Sequence, residues 1–550
     1  MNEPSEALKT AFAHYRDGRL GKAIQIAEQT LAIWPDDAAA LHLLGLAAFA
    51  AGQPKDAVSH YAKALLSAPS AADIHTDLAA AYLALGAAGD AAAHAGRAAL
   101  LDPDLGEAHY NLGNALFALG DAAGAAGAYA AAIKTAPGND AFWSNHLFAL
   151  NFSAAASPEE IFQRNRAWGE MVEAQIGGVR AAPPRFHDGP LRLAYYLPEF
   201  DSHVTPRFLE PVLRAHDLDK FRVCVYGSRV GVGRGTPAFV PDGVAWIDVG
   251  GVPDAKLAER MRADGIDILI HPCTFKARYR RILGQHAAPV QMAAINLVST
   301  TGLSTTDYLL TDAHLDPPDA SEQFYTEELI RLPAFNTYRI PEAAPPVGPL
   351  PALTNGFVTF GSFNNPAKMT PGTISVWADI LKAVPDSRLV LKHRALGDGN
   401  VAARFVTRFS GAGITPERIM LEGFTSDGAA YLDSYNRIDM ALDPFPFGGG
   451  TTSYEALWMG VPVLTLQGKT FMGRLTAALM GRLDLSQWAA SDAGEYVARA
   501  IGLAADLDGL AGLRAALRER ARATIFDGEA FTRSLEAACL DVWRRIKENR

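Results

Sequence analysis

The chain has 550 residues, of which 49% are hydrophobic and 20% are charged, and its formal net charge is −10. This length favours two or three domains, and the composition is that of an ordinary globular protein rather than a disordered one. The negative net charge argues against nucleic acid or an anionic membrane as the main partner.

The cysteines and the hydropathy pattern bear on the cellular compartment. Cys224, Cys273 and Cys539 are far apart in sequence, which supports neither a disulfide framework nor a CxxC metal site and suits a reducing compartment. The first residues lack the basic start and the apolar run of a secretion signal, and no uncharged apolar run approaches about 18 residues. We therefore expect a cytoplasmic protein with no membrane span.

Three residue types recur every 34 residues over four units in the first part of the chain. The glycine of each unit ends one helix, the alanine lets a second helix approach closely, and the proline closes that second helix. The positions are Gly18, Gly52, Gly86 and Gly120; Ala23, Ala57, Ala91 and Ala125; and Pro35, Pro69, Pro103 and Pro137. This spacing predicts an α-solenoid of four tetratricopeptide repeats over residues 1–140.

Stacked repeats of this kind leave a groove along the array. Such a groove is typical of proteins that hold a peptide or a partner protein, so we expect a protein substrate to bind there. The alternative is that the array only supports the rest of the chain. Alanine dominates the third and fourth units, so the sequence does not specify the partner.

Residues 141–186 are predicted to form a helical connector. The segment after Pro137 starts like a fifth unit but lacks its second half. Residues 157–160, with the sequence SPEE, form a capping box that opens a helix through Trp168. Glycine and proline dipeptides between residues 177 and 190 then predict a linker.

From Leu191 onward, short apolar strands alternate with helices, the pattern of a parallel sheet. A proline-rich stretch at 341–353 divides this pattern, so we predict two Rossmann-like halves over 187–350 and 351–550. Ligands of such sheets bind outside the carboxyl ends of the strands. The ten predicted strands are LRLAYYL, FRVCVYG, VAWIDV, IDILIH, VQMAAINL, FVTFGSF, SRLVLKH, RIMLEGF, IDMALDPF and VPVLTLQG.

The stretch most informative about chemistry is DPFPFGGGTTSYEALWMGVPVLTL, residues 443–466. It follows a strand, passes through three glycines and opens a helix at Thr451 and Thr452. Glycines let the backbone approach a ligand closely and a helix start offers free N–H groups, so this stretch suits a diphosphate. Glu455, one turn later, could accept a hydrogen bond from a ribose or sugar hydroxyl. The alternative is an ordinary glycine-rich turn with an exposed glutamate.

Two common nucleotide-binding motifs are absent from the sequence. No GxGxxG opens a helix after the first strand, which argues against a dinucleotide-dependent oxidoreductase. No GxxxxGK[ST] occurs either, which argues against a P-loop. Residues 468–470 have the sequence GKT, but Val463 stands where the first glycine of that motif belongs.

At residues 443–466 the sequence resembles the O-GlcNAc transferase and SPINDLY family, whose members join tetratricopeptide repeats to a GT-B glycosyltransferase. The resemblance covers nearly the whole chain, is strongest between Phe357 and Arg474, and implies that the second Rossmann-like half binds a nucleotide sugar. The similar segments are SNHLFALNFSAAASPEEIFQRNRAWGE, GSFNNPAKMTPGTISVWADILKAVPDSRLVL, GITPERIMLEGF and ALDPFPFGGGTTSYEALWMGVPVLTLQGKTFMGR.

The resemblance assigns roles residue by residue. Lys368 matches the lysine that contacts the diphosphate, a role suited to an ammonium because negative charge builds on the leaving phosphate. Asn365 matches a polar nucleotide-contacting position, and Glu455 matches the acidic residue that contacts the nucleotide. The phosphate-binding loop corresponds to Gly449, Gly450, Thr451 and Thr452. The alternative for Lys368 is a solvated lysine at the start of a helix.

In the first half, YYLPEFDSHVTPRFLEPVL resembles the family segment in which a histidine faces the sugar and the acceptor, and His203 is that histidine. It follows the carboxyl end of a strand, and the pKa range of histidine permits proton handling. The alternative is a capping or buried structural histidine. Whether such a histidine acts as a base or as a positioning group stays open.

The sequence departs from the family pattern at three places. Residues 271–276, HPCTFK, replace a D-x-x-G-H-T-like run, and AINLVSTTG keeps only residues 300–302 of W-x-G-Y-P-G-T-T-G. Tyr431 stands where a nucleotide-contacting histidine is often found. The first two departures bear on the sugar and the acceptor, and the third bears on the base and the ribose.

The resemblance therefore implies a bacterial protein glycosyltransferase in which Lys368 and the loop at 449–452 stabilise the leaving group without a divalent metal, and the lack of a DxD pair at a strand end agrees with this. By resemblance the default donor is UDP-GlcNAc, and we expect the acceptor to be a Ser or Thr hydroxyl of a protein held by the repeats. One alternative keeps the chemistry but transfers another sugar, such as a fucose or a nonulosonic acid, to flagellin. The other alternative is a non-catalytic scaffold with a degenerate α/β part.

Overall fold

The computed structural model describes residues 4–177, 183–197, 204–228, 235–272, 275–295 and 298–548. Contacts between residues divide the chain into two units, Met1–Ser153 and Ala154–Arg550. His203, one of the predicted site residues, lies outside the described residues.

The first unit is built from helices that each pack on the next along the chain. They are α1 (Pro4–Arg16), α2 (Leu20–Ile33), α3 (Ala38–Ala50), α4 (Pro54–Ser67), α5 (Ala72–Ala84), α6 (Ala88–Leu101), α7 (Gly106–Leu119), α8 (Ala122–Thr135) and α9 (Asp140–Phe152).

The 34-residue period has the structural cause that the sequence predicts. The four glycines that end the first helix of each unit have φ between +73° and +87°, where a side chain would be strained. The four alanines of the period are fully buried, so the paired helices approach closely at these points. The prediction of an α-solenoid is confirmed.

The second unit begins with helix α10 (Pro158–Ile176), which runs beyond the predicted end at Trp168. The Ser157 hydroxyl accepts a hydrogen bond from the Glu160 N–H, as a capping box requires. A Cβ at Gly169 would lie 2.0 Å from the backbone oxygen of Gly302, so only glycine allows this close approach. The helix is therefore packed directly against the first Rossmann-like half.

The first half of the α/β part contains seven strands and three helices in its described residues. They are β1 (Leu191–Leu197), α11 (Val204–Ala215), β2 (Phe221–Gly227), β3 (Ala245–Asp248), α12 (Asp254–Ala263), β4 (Ile268–His271), α13 (Ala277–Leu283), β5 (Val290–Ala293), β6 (Tyr308–Thr311) and β7 (Glu328–Arg331).

The second half contains the remaining elements. They are α14 (Ala352–Asn355), β8 (Thr359–Ser362), α15 (Pro371–Ala383), β9 (Arg388–Lys392), α16 (Gly399–Gly411), β10 (Ile419–Glu422), α17 (Gly428–Asp433), β11 (Met440–Leu442), α18 (Thr451–Trp458), β12 (Val463–Leu466), α19 (Phe471–Arg482), β13 (Ala489–Ala490), α20 (Ala493–Ala505), α21 (Leu507–Arg522) and α22 (Gly528–Glu548).

Both sheets have the doubly wound order of Rossmann-like folds. The first runs β3-β2-β1-β4-β5-β6-β7 and the second runs β10-β9-β8-β11-β12-β13, with parallel pairing throughout the described strands. The strand order reverses between β1 and β4 and between β8 and β11, which are the points where such sheets bind ligands. The predicted fold class, a solenoid followed by two Rossmann-like halves, is confirmed.

All ten predicted strands are present, and the described residues add β6, β7 and β13. The added strands have four residues or fewer, and polar loops flank β6 and β7. A strand of two residues such as β13 has too few positions to show a sequence pattern, and the polar residues beside β6 and β7 leave no extended apolar run there.

Two long-range features hold the halves together. The proline-rich stretch is bound to the second half, because the Gly348 N–H donates to Asn436 and its carbonyl accepts from Arg514. The last helix, α22, packs on α11 of the first half, where Glu536 accepts hydrogen bonds from the His216 ring and the Asp217 N–H. None of the described helices has the length and apolar character needed to cross a bilayer.

Candidate active site

A cavity of about 750 Å³ lies between the two halves of the second unit. Its walls come from α11 of the first half and from the carboxyl ends of β8, β9 and β10 and the loop after β11 in the second half. Every predicted site residue that the structure describes lines this cavity. These residues are Asn365, Lys368, Tyr431, Gly449, Gly450, Thr451, Thr452 and Glu455.

Lys368 ends a short 3-10 turn, Pro366–Lys368, just after β8. Its Nζ donates a hydrogen bond of 2.7 Å to the carbonyl oxygen of Gly448 and lies 4.1 Å from the ring centroid of Phe447. Burial lowers the pKa of Lys368 to about 8, although the charge of nearby Asp443 opposes this shift. The lysine is thus half-buried and held against the glycine loop rather than solvated.

The glycine loop, residues 448–450, connects β11 to α18. The Gly449 N–H donates 2.7 Å to Oδ1 of Asp443, and a Cβ at Gly449 would lie 2.1 Å from the Ser453 hydroxyl. No larger residue fits at this position without a shift of the loop. Gly450 then precedes α18, whose first N–H groups carry the partial positive charge of a helix start. The arrangement suits an anionic group above the loop.

Asp443 holds this loop through its hydrogen bond with Gly449 and is almost completely buried, with 1% of its surface exposed. Its second oxygen, Oδ2, accepts a hydrogen bond of 2.9 Å from the Thr465 hydroxyl. Burial raises the pKa of Asp443 to about 6, while hydrogen bonds and the charge of Lys368 act in the opposite direction. The negative charge of Asp443 therefore lies close to Lys368 and to the glycine loop, which both present positive charge to the cavity.

The threonines and asparagines around the loop have different roles. The Thr452 hydroxyl donates 3.0 Å to Oδ1 of Asn364, so it ties α18 to the end of β8. The neighbouring Asn365 is exposed, and its Oδ1 accepts from the Ala367 N–H. Thr451 lines the cavity at the first position of α18.

Glu455 is buried in the cavity wall, with 3% of its surface exposed. Its carboxylate accepts hydrogen bonds from Arg207 at 2.5 Å, from the Tyr431 hydroxyl at 3.1 Å and from the Tyr338 hydroxyl at 3.2 Å. Burial raises the pKa of Glu455, and these donors oppose that shift. The exposed glutamate of the ordinary-turn alternative is therefore wrong, and three donors of the chain already hold this carboxylate.

His271, which belongs to the first departure from the family pattern, and the retained Thr300 and Thr301 have structural roles in the first half. His271 is the last residue of β4 and is fully buried, and this burial lowers its pKa to about 3. Thr300 and Thr301 direct their hydroxyls to the buried carboxylate of Glu327. Cys273 and Thr274 lie outside the described residues.

Sequence reasoning missed Arg207, Tyr338 and Asp443 as parts of this site. Arg207 and Tyr338 lie 248 and 117 residues from Glu455, and no motif marks either of them. Asp443 did have a signal, because it directly follows a buried strand at the edge where ligands bind.

Comparisons with known proteins agree with this fold. The pattern of glycosyl transferase family 41 matches residues 181–342 and 350–535, and tetratricopeptide repeat patterns match residues 42–105 and 106–139. The chain belongs to glycosyl transferase family 41. Its relationship to the O-GlcNAc transferase and SPINDLY proteins, first indicated by sequence motifs, is confirmed.

Two curated relatives illustrate how far the similarity extends. A protein of Oryza sativa subsp. japonica, named probable UDP-N-acetylglucosamine–peptide N-acetylglucosaminyltransferase SPINDLY, is 36% identical over 428 residues, which are 76% of this family 41 chain and 46% of the rice protein. The SEC protein of Arabidopsis thaliana is 26% identical over 371 residues, 64% of this chain and 37% of that protein. The chain thus spans less than half the length of these curated relatives.

Among solved structures, a lysine-to-methionine mutant of the Thermobaculum terrenum O-GlcNAc transferase matches over the full length of this chain. The sequences are 32% identical, the TM-score is 0.74, and the match covers 100% of this chain and 99% of the other. The solenoid and both Rossmann-like halves therefore have counterparts in one solved protein.

Proposed function

We propose that this protein transfers a sugar, by default N-acetylglucosamine from UDP-GlcNAc, to a Ser or Thr hydroxyl of a protein substrate. One observation carries this proposal. Lys368 and the glycine loop follow two neighbouring strands, β8 and β11, and meet in a cavity large enough for a nucleotide sugar. The names of the relatives, which specify UDP-N-acetylglucosamine and a peptide, support this donor and acceptor.

Lys368 and the backbone at the start of α18 act on the leaving group. Negative charge builds on the diphosphate as its bond to the sugar breaks, and donors already held in place stabilise that charge without further rearrangement. Burial lowers the pKa of Lys368 to about 8, and a neighbouring diphosphate raises it again, so the lysine carries its proton when the donor is bound.

The reaction exchanges one bond to the anomeric carbon for another. The acceptor hydroxyl oxygen attacks that carbon, the bond from the carbon to the diphosphate oxygen breaks, and the hydroxyl proton passes to a base. The family resemblance gives His203 the place beside the sugar and the acceptor, as base or as positioning group. Asn365, Tyr431 and Glu455 are proposed to contact the nucleotide.

The repeats are proposed to recruit the protein substrate. This assigns substrate capture to residues 1–140, a connecting role to 141–186, the acceptor side to 187–350 and nucleotide-sugar binding to 351–550. We further propose a cytoplasmic location, which the free thiols of Cys224 and Cys539 favour. Neither relative named above is described as acting on flagellin, so the acceptor class is kept as protein Ser or Thr.

Calorimetric titration with a panel of nucleotide sugars tests the donor. UDP and UDP-GlcNAc should bind, and Lys368→Ala should weaken both at least tenfold. Lys382→Ala removes an exposed lysine on α15 that pairs with Asp379 and should leave both affinities unchanged. Binding of GDP-fucose or a CMP-linked sugar in preference to UDP species would reject the default donor. Equal weakening by both lysine variants would reject the role of Lys368.

A further inference from the structure

A second cavity, of about 290 Å³, lies at the opposite edge of the first sheet from the candidate active site. Its walls are the segment before β1, the second residue of β1, the turn between α12 and β4, and Pro289 just before β5. The strands of this sheet are parallel, so these amino-terminal ends all lie at one edge. A ligand in this cavity would not touch the residues that line the active-site cavity.

Three arginines, Arg185, Arg192 and Arg262, line this second cavity together with one carboxylate, Asp267. Asp267 is almost completely buried, and Arg192 binds both of its oxygens, with Nη2 at 2.8 Å from Oδ1 and Nε at 3.1 Å from Oδ2. Oδ2 also accepts from the Arg192 N–H and from the His187 ring. Asp267 therefore compensates the charge of Arg192, and its hydrogen bonds among the described residues go to Arg192 and His187 rather than to the other two arginines.

The other two guanidinium groups face the cavity without a carboxylate partner among the described residues. Nη1 of Arg262 donates to the carbonyl oxygens of Gln285 at 2.5 Å and of His286 at 3.3 Å, which fixes the group but leaves its charge uncompensated. Arg185 is exposed on the segment that leads into β1. Like charges around one cavity repel each other, so an anion between them would be stabilised.

Gly265 shapes the same cavity. Its φ of +69° lies in the left-handed region, and a Cβ there would lie 2.6 Å from Nη1 of Arg192. Glycine thus lets the turn between α12 and β4 close over this arginine. The cavity is built by the backbone as well as by the arginines.

We propose that this arginine cavity binds a phosphate-type oxyanion of at least two negative charges, as a free anion or as the phosphate group of a small molecule. Guanidinium groups bind such oxyanions through paired hydrogen bonds, and a fixed arginine such as Arg262 loses little freedom on binding. The bound anion joins the segment before β1 to the turn before β4 and so stabilises the second unit. The proposal does not depend on the proposed transferase activity.

Calorimetric titration of the full chain with inorganic pyrophosphate tests the proposal. Under both proposals the wild type should bind pyrophosphate at two sites, and Lys368→Ala should lose one of them. The double variant Arg185→Ala/Arg262→Ala should lose the other, with at least a tenfold weaker affinity. Arg97→Ala, which removes an exposed arginine of the repeats, should change neither. An unchanged second site in the double variant, or pyrophosphate binding that depends on Lys368 alone, would overturn the arginine site.

A second variant guards against loss of structure, because Arg262 also holds two backbone carbonyls. Arg185→Glu changes only an exposed side chain and should abolish binding at this site while the circular dichroism spectrum stays that of the wild type. Pyrophosphate should also raise the Tm of Lys368→Ala, since a ligand that binds the folded state stabilises it. Undiminished binding to Arg185→Glu, or citrate binding as tightly as pyrophosphate, would contradict a phosphate-type site.

Discussion

The substitution Asp443→Asn should separate stability from activity. Asparagine keeps the shape of the side chain and can still accept a hydrogen bond from the Gly449 N–H through its oxygen. Its amide nitrogen then faces the Thr465 hydroxyl, which can turn to accept. The loop keeps its hydrogen bonds but loses the negative charge beneath it.

The effect on stability follows from the raised pKa of Asp443. At neutral pH the buried carboxylate is ionised, and the interval between its ordinary pKa of 3.8 and about 6 corresponds to about 3 kcal/mol of lost stability. Asparagine removes this penalty but weakens the hydrogen bond to Gly449 by about 1 kcal/mol, since a neutral acceptor replaces a charged one. We expect the variant to be as stable as the wild type, or more stable by up to about 2 kcal/mol.

Activity should change in the opposite direction. The charge of Asp443 raises the pKa of Lys368, which burial has lowered to about 8. Without that charge, Lys368 should release its proton at a lower pH, and the loop should bind the diphosphate less rigidly. We expect kcat/KM at pH 8 to fall at least tenfold, equivalent to about 1.4 kcal/mol of transition-state stabilisation.

Thermal unfolding and initial rates of UDP release, both recorded as functions of pH, measure the two effects. The folded state holds the Asp443 proton more tightly than the unfolded state, so its penalty is absent below pH 3.8 and complete above about 6. At about pH 5 the penalty falls to about half, so the stability advantage of the variant should shrink by about 1.5 kcal/mol. A variant that loses stability and activity together at neutral pH, or keeps full activity, would refute this reasoning.

Three further predictions concern the same site. Gly449→Ala places a methyl group 2.1 Å from the Ser453 hydroxyl, so it should displace the loop. Calorimetry should then show an affinity for UDP that is at least tenfold lower, and an unchanged affinity would contradict this. Arg207→Ala leaves the buried Glu455 without its cation and should lower the free energy of unfolding by about 2 kcal/mol. This value is smaller than for a fully buried ion pair because Arg207 is partly exposed to solvent. Denaturant titration should find the stability restored when Glu455→Gln is added. The kcat/KM of the wild type should fall as pH rises through about 8, where Lys368 loses its proton, and a flat profile to pH 9 would exclude this assignment.

The sequence predicted most of what depends on local pattern. The repeat glycines and alanines are visible in the sequence because each repeat imposes the same local conformation and the same close helix contact. The strand–glycine–helix order around Gly449 placed the loop at the correct edge of the second sheet, because strand ends of a parallel sheet share one edge.

The parts that escaped prediction depend on contacts between distant segments. Arg207 is on a helix of the first half, and nothing in its neighbourhood indicates that it meets Glu455 of the second half. Glu536 of α22 likewise accepts hydrogen bonds from the His216 ring and the Asp217 N–H, which lie 320 and 319 residues earlier in the chain, and no local pattern indicates this contact. The assignment of His203 stays a prediction.

Transfer of sugar to peptide tests the central claim most directly. The full chain would be incubated with UDP-GlcNAc that carries a radiolabelled sugar and with an array of peptides containing Ser or Thr. We predict label on some peptides with the wild type and with Lys382→Met, and at least a hundredfold less with Lys368→Met. Absence of label with the wild type, in an array that a known O-GlcNAc transferase labels, would contradict the account, as would equal labelling by Lys368→Met.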